Sequence, residues 1–394
     1  MYKRYAAILA TSTLCTGAYA QSSVTLYGIV DASLAYVNSV STSVKKPGQH
    51  VFELVNGEQS SSRWGLLGFE DLGGGTRAIF RLEGGFNVTN GTMLQGGRLF
   101  GRQAYVGLSN KNAGTLTLGR QYELGFQYVG DMTGAIRFAG QWGSHVGDAD
   151  GLYATYRINN AVQYETPQIS GLRVSGLYGF SNQAGGAPGD GFANNRAMSV
   201  GVRYEFGPAR VAVTYTQVSN PYATGSTSGN SAGAVAGDYG LNTSLFYQAP
   251  VSRQQILAAG ALYKVGSLDI GVVYSHVALR YVDQTLLKLD NYEINASYFF
   301  TPSVRLSAEY VFTNGRGEGG NSTRAYASGN APHWHQIDLA ADYALSKATD
   351  VYLVAIGQRA AGDAEVASLT NVGGPAGAGA HTQIVVGTGL RHKF

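Results

Sequence analysis

The chain has 394 residues, with 28 Lys and Arg against 25 Asp and Glu, 55 Gly, 26 Tyr, 15 Phe, 9 Pro and a single Cys. Charged residues make up only 13% of it, where a soluble globular domain carries about 25%, yet no apolar run of about 18 residues offers a membrane-spanning helix. The near balance of charge excludes the bulk electrostatics of a nucleic-acid or membrane-surface binder, and the shortage of charged side chains argues against two or three ordinary soluble domains.

Residues 1–20 read as a secretory signal peptide: "MYKR" is a basic region, "YAAILATSTLCTG" an apolar one, and "AYA" a small-residue cleavage site before Gln21. Cys15 lies inside it. Leu14 stands where a lipoprotein signal needs a small residue, so no lipid anchor is expected. Without Lys3 and Arg4, the segment 21–394 carries 26 basic against 25 acidic side chains and no cysteine, which is an exported chain without disulfides.

The first element, "SSVTLYGIVDASLAYV", alternates strictly. Val24, Leu26, Gly28, Val30, Ala32, Leu34 and Tyr36 share one face, and Thr25, Asp31 and Ser33 the other. A period of two marks a strand with two different surroundings. "RAMSVGVRYEFGPARVAVTYTQV" repeats the pattern as a hairpin turning at "GPA". "NYEINASYFFTPSVRLSAEYVF" does so again, turning at "TP". Short connections ("LGGGT", "KNAG", "ISG", "FGPA", "KVGS", "FTPS", "LSKAT") alternate with long polar ones at roughly 38–60, 90–97, 122–158, 181–195, 218–253, 282–288, 314–333 and 359–380. Seven short turns and eight long loops separate sixteen strands. Short turns at one end, long loops at the other, and apolar-out strands flanked by aromatics are the pattern of an outer-membrane β-barrel.

An even strand count puts both ends of the chain on the periplasmic side. The final strand, "HTQIVVGTGLRHKF", also alternates: Ile384, Val386, Thr388, Leu390, His392 and Phe394 form one face. A barrel in lipid cannot leave an edge unpaired. The last strand is therefore expected to pair with residues 23–37, ending on Phe394 at the aromatic girdle. A soluble β-sandwich or β-propeller is the competing fold. It calls for similar loop lengths at both ends and a more polar exposed face.

The stretches "SSRWGLLGFEDLGGGTRAIFRLEGGFN", "GRLFGRQAYVGLSNKNAGTLTLGRQY" and the ending "VGTGLRHKF", together with the first strand, resemble the general diffusion porins of Gram-negative bacteria, beta-proteobacterial branch. The likeness is dense in the first third and clear in the last strand. It implies an all-β, 16-stranded antiparallel transmembrane barrel, with residues 21–394 as one unit and a third loop, about 122–158, folded into the lumen as a constriction. It further implies a homotrimer integral to the outer membrane, in contact with its lipid and lipopolysaccharide. Such a chain is delivered to the barrel-assembly machinery through the C-terminal strand ending in Phe394. The activity implied is passive diffusion of small hydrophilic solutes and ions, without an enzyme reaction, a cofactor or a nucleic-acid partner. The alternative is a channel specific for an anionic nutrient such as a phosphate, dicarboxylate or aromatic acid.

A loop of that length in a compact protein is unusual unless functional. Tyr122, Phe126, Tyr128, Phe138 and Trp142 suit a packed loop, and Glu123, Asp131, Asp148 and Asp150 supply carboxylates. In anion-selective members an arginine cluster lines the wall opposite. The matching positions are Arg63 in "SSRWG", Arg102 in "FGRQAYVGL", Arg157 in "YRINNAVQYETP", and, more weakly, Arg120 in "TLGRQ". Guanidinium stays charged at any physiological pH and binds carboxylate or phosphate through two hydrogen bonds. The expected constriction is thus Arg63, Arg102, Arg157 and Arg120 facing Glu123 and Asp131, with mild anion preference. The competing reading pairs each arginine with a wall carboxylate such as Glu165, Glu205 or Asp338. Leu67 and Phe69 share strand parity with Arg63, and Val106 and Leu108 share parity with Arg102, which places apolar bulk beside both arginines.

Other motifs carry no site. "GGGT" at 73–76 is a tight turn with no helix after it to bind phosphate. "HWH" at 333–335 reads as surface residues of the seventh loop, not a metal centre. "NGT" at 90–92 and "NST" at 321–323 are ordinary loop residues. No Ser/His/Asp set has a supporting context for an outer-membrane enzyme, nor is there a rim constellation for an adhesin.

Overall fold

A computed structural model describes residues 22–44, 46–154, 156–182, 194–222, 233–241, 246, 249–319, 328–372 and 377–394. The signal peptide expected at 1–20, the "NST" motif and much of the fourth, fifth and seventh loops lie outside these residues. Seventeen strand segments form one sheet closed on itself. They are β1 (Ser22–Val40), β2 (Gln49–Asn56), β3 (Arg63–Gly73), β4 (Thr76–Gly85), β5 (Gln103–Asn110), β6 (Gly114–Gln121), β7 (Ile158–Glu165), β8 (Leu172–Gly179) and β9 (Arg196–Phe206). The second half comprises β10 (Ala209–Ser219), β11 (Val251–Val265), β12 (Leu268–Tyr281), β13 (Leu286–Thr301), β14 (Val304–Glu318), β15 (Pro332–Ala344), β16 (Thr349–Gly362) and β17 (Thr382–Lys393).

Every pairing is antiparallel. β1 pairs on one flank with β3 along its first half, from Ser22↔Glu70 to Ile29↔Arg63, and with β2 along its second, from Ala32↔Asn56. β2 and β3 are therefore two halves of one wall strand, interrupted at 57–62, and the barrel has sixteen strands. β2 falls inside the loop expected at 38–60. Its alternation is legible but only eight residues long. β14 also runs on to Glu318, because the polar "NGRGE" keeps its ladder with residues 286–290 of β13 although no apolar alternation marks it. "HWH" likewise belongs to strand β15, not to a loop: His333 and His335 are partly exposed, while Trp334 is buried and donates its indole N–H to the Val366 carbonyl at 3.0 Å.

Closure follows the expected pairing. β17 pairs with β1 from Ile29↔Lys393 to Val37↔Val385. The Gly28 amide donates to the Phe394 carbonyl at 2.9 Å and the Phe394 amide to the Gly28 carbonyl at 3.1 Å. Gly28 has no room for a Cβ against the Phe394 ring, so glycine is required there. The "GGGT" turn similarly depends on glycine, since Gly73, Gly74 and Gly75 all have positive φ (83°, 59° and 77°).

The wall is apolar outside and polar inside. Leu26, Leu34, Ile294, Ile337 and Leu353 are all half or more exposed, whereas Asn291, Asn295, Gln336, Gln358 and Gln383 are buried. A soluble sheet has the opposite arrangement, so this surface is built for hydrocarbon. Apolar clusters inside the barrel form where the 122–157 segment meets the wall: Phe138 and Trp142 with Val354, Ile356 and Val385, and Val129, Met132 and Leu152 with Ala258 and Val273.

Candidate functional site

The 122–157 segment begins with a helical turn at Leu124–Tyr128, capped by Glu123, and continues through short turns. Its hydrogen-bond partners come from buried faces all round the wall. The Leu124 amide donates to Ser199 Oγ of β9 (3.2 Å), Thr216 Oγ1 of β10 to Glu123 (2.9 Å), Gln254 Nε2 of β11 to the Ala149 carbonyl (2.5 Å), and the Gly134 amide to Glu293 of β13 (2.8 Å). Gly140 has φ +68° and lies too close to the Glu58 backbone for any side chain. The next amide, Gln141, donates to the Glu58 carbonyl at 3.1 Å.

Between this segment and β3–β5 lies a cavity of about 910 Å³ lined by Arg63, Arg81, Arg102 and Arg157, with Glu83, Asp148 and Asp238 as its carboxylates. Arg102 stands just before β5 and donates from Nε to Glu83 Oε1 at 2.6 Å. Glu83 Oε2 accepts the Tyr27 hydroxyl at 2.7 Å. Because Arg102 precedes the strand, it does not follow the strand's parity, and Val106 and Leu108 are free to face outward, each more than half exposed. Arg63 makes a long contact to the Ser61 carbonyl (3.4 Å), and neither it nor Arg157 forms an ion pair among the described residues.

Tyr122 organises two of these arginines. Its ring lies 5.1 Å from the Arg157 guanidinium and 5.8 Å from that of Arg102, and it packs on Phe126 with 4.3 Å between centroids. A ring face attracts a guanidinium without neutralising it, so the ring leaves the Arg157 charge in place, whereas Arg102 shares its charge with Glu83. Two further ring contacts lie on this wall: Arg81, which lines the cavity, is 5.6 Å over Tyr27 of β1, and Arg77, outside it, is 4.7 Å over Phe69. Sequence reasoning named Tyr122 only as a loop aromatic and missed Arg81, although its phase in "RAIFRLE" matches Glu83. Asp238, from the fifth loop, was also missed.

The remaining expected residues sit elsewhere. Arg120 is buried behind the cavity, donating to the Gly101 carbonyl at 2.8 and 2.6 Å and pairing with Asn159 and Asp238, which Arg98 also holds at 2.7 Å. Asp131 bridges Arg203 (3.1 Å) and Arg210 (2.8 Å) on β9 and β10 and does not line the cavity. Glu123 points away from the arginines and accepts the Gly125 and Phe126 amides at 2.5 and 2.6 Å. Of the alternative partners, Glu165 accepts the Tyr128 hydroxyl (2.8 Å), Glu205 pairs with Arg203 (2.9 Å), and Asp338 accepts from Gln336 (3.2 Å). None takes an arginine of the cavity. With four arginines against three carboxylates lining it, and Asp238 already held by two further arginines, the cavity is net positive.

Burial pushes the Glu123 carboxyl up to about 7 from an ordinary 4.5, against the pull of the Phe126 and Gly125 amides and the Thr216 hydroxyl. A raised folded value favours the protonated fold. Its contribution is present in full below 4.5 and is lost as pH rises through about 7. Stability toward denaturant is therefore expected to fall over that window by up to about 3 kcal/mol in the wild type, and Glu123→Gln is expected to flatten that part of the profile. An unchanged profile in the variant removes Glu123 as the cause.

A family model described as Gram-negative porin matches residues 6–358. An outer membrane porin protein of Bordetella pertussis is 39% identical over 251 residues, covering 59% of this chain and 62% of that one. Outer membrane porin protein 32 of Delftia acidovorans is 35% identical over 219 residues, covering 54% and 58%. The chain thus spans about three fifths of the length of these two relatives. The solved anion-selective porin from Comamonas acidovorans superimposes with a TM-score of 0.69 at 25% identity, over 95% of this chain and 100% of that one.

Proposed function

Because the chain belongs to the Gram-negative porin family, we propose that it forms a water-filled outer-membrane channel for passive diffusion of small hydrophilic solutes and ions, with mild anion preference. The observation that carries this reading is the arginine-lined cavity of about 910 Å³ inside a wall with an apolar exterior. Arg63, Arg102 and Arg157 line the narrow passage, joined by Arg81, and the 122–157 segment sets its width. Charge held in a confined passage focuses field and enriches counter-ions. Arg120 and Glu123 support the constriction from behind, and Asp131 anchors the segment to β9 and β10. Residues 1–20 serve as the export signal, and residues 21–394 make the channel.

Strand length supports the homotrimer that the family likeness implies. β5 to β8 have eight residues each, which at about 3.3 Å per residue and a tilt of about 45° reach roughly 19 Å, short of an apolar band of about 25 Å. β11 to β16 have 13 to 16 residues and reach across it. The short side is suited to partner subunits and the long side to lipid and lipopolysaccharide.

Liposomes containing the protein are expected to swell in isotonic sugars at rates that fall smoothly with solute size and do not saturate. Arg63 and Arg157, without an ion pair among the described residues, also favour a second reading, a channel specific for a carboxylate or phosphate nutrient. Saturable block of ion current by one such solute selects it over the general porin.

A further inference from the structure

Where the 122–157 segment meets strands β13 to β15 lies a buried group of His145, Asp150, Glu293, Glu309 and Asp338. His145 Nδ1 is 2.6 Å from Asp150 Oδ2, which also accepts Ser275 Oγ at 2.5 Å and Asn291 Nδ2 at 3.3 Å. An imidazole whose Nδ1–H is held by a buried carboxylate has its tautomer fixed, so a cation displacing the proton on Nε2 would find the lone pair there. That Nε2 points at Glu293 Oε2, 2.9 Å away. Glu309 completes the set. It is only 3% exposed, and no N–H or hydroxyl donor among the described residues reaches either carboxylate oxygen, whose polar neighbours are the carboxyls of Glu293 and Asp338. The donor atoms of His145, Glu293 and Glu309 all lie within 4.8 Å of one another. Asp338 Oδ1, next to Glu309, likewise meets no N–H or hydroxyl donor among the described residues.

Several buried carboxylates with one imidazole among them need positive charge. The nearby guanidiniums are engaged: Arg137 with Asn295 and with Asp269 (3.8 Å), and Arg305 with Asp342 (2.9 Å). Either protons or a cation must supply the charge. One imidazole nitrogen with two or three carboxylate oxygens, backed by an oriented second carboxylate, is a donor set of the zinc type.

We propose that His145, Glu293 and Glu309 form a divalent-metal site of the zinc class, extended by Asp338, that ties the 122–157 segment to strands β13 and β14. His145 comes from the segment and the carboxylates from the wall, so a bound ion cross-links the two. The site does not depend on what the lumen conducts.

The test uses the full barrel folded in detergent with Zn²⁺ and passed over chelating resin. Elemental analysis is expected to find about one zinc per subunit in the wild type and less than about a tenth of that in Glu309→Gln. His145→Gln gives an independent second variant with the same expectation. Co²⁺ in place of zinc is expected to give visible ligand-field bands in the wild type that both variants lose. Both variants keep His333 and His335, so adventitious surface metal cancels in the comparison. If the wild type retains no zinc, or if folded Glu309→Gln retains as much, the carboxylates share protons and the proposal is overturned.

Discussion

Replacing Arg63, Arg102 and Arg157 together by glutamine is expected to carry the zero-current potential of the channel from anion-signed toward cation-signed. A unit charge about 8 Å from a permeant ion contributes roughly 2 kcal/mol at an effective dielectric of about 20, and roughly 0.5 kcal/mol in bulk water. Salt at physiological strength screens beyond about 8 Å. Three such charges, partly screened, bring the expected change to about 1.4–2 kcal/mol, a ten- to thirtyfold fall in the anion-to-cation permeability ratio. The singles should not be equal. Arg102→Gln also exposes the charge of Glu83, its partner at 2.6 Å, and so changes the passage by more than one unit. Arg63→Gln and Arg157→Gln remove a charge and free no carboxylate. Arg120→Gln should move the potential less than Arg102→Gln, because Asp238 keeps Arg98, and should weaken the fold, since Arg120 also holds Asn159 and the Gly101 carbonyl. An unchanged potential in the triple variant sinks the arginine assignment.

Trp142→Ala is expected to loosen the 122–157 segment without opening the barrel. Trp142 is 1% exposed and packs with Val354, Ile356 and Val385 of the inner wall. Its indole fits against β17 because residue 387 is glycine: a Cβ there would meet the ring at 2.7 Å. Deleting a buried indole costs about 3–5 kcal/mol in transfer and cavity terms. The wall is held separately by its ladder, so the loss falls on the segment. The expected readouts are a lower thermal transition, larger conductance steps and noisier open current. Gly387→Val, which evicts the ring from the wall side, is expected to do the same. Wild-type step size and noise in both variants contradict this anchoring.

Strand alternation made the wall legible: in β1, β9, β10, β13, β14 and β17 the parity of apolar residues names the outward face correctly, and turn chemistry such as "GGGT" and "FGPA" places the short connections. Alternation did not suffice where a strand is short, and was silent where one is polar on both faces. That is why β2 was absorbed into the first loop and the end of β14 into the seventh. The arginines were reachable only through the motifs that carry the family resemblance, since Arg102 and Arg157 stand just before their strands and escape strand parity. Glu123 and Asp131 were not, because inside a folded loop sequence position says nothing about where a side chain points. Glu123 turns back to cap its own helical turn, and Asp131 turns to Arg203 and Arg210. Tyr122 as a platform for two guanidiniums, and His145 beside Glu293 and Glu309, depend on contacts between segments far apart in the chain, which no local pattern carries.

The central claim is a channel whose narrow passage is made positive by Arg63, Arg102 and Arg157. Its most direct test is the zero-current potential of the purified protein in a planar bilayer under a salt gradient, with conductance steps recorded in the same trace. Steps arriving in threes with an anion-signed potential are the predicted result. A cation-signed potential contradicts the arginine cluster, and a bilayer without steps contradicts the channel.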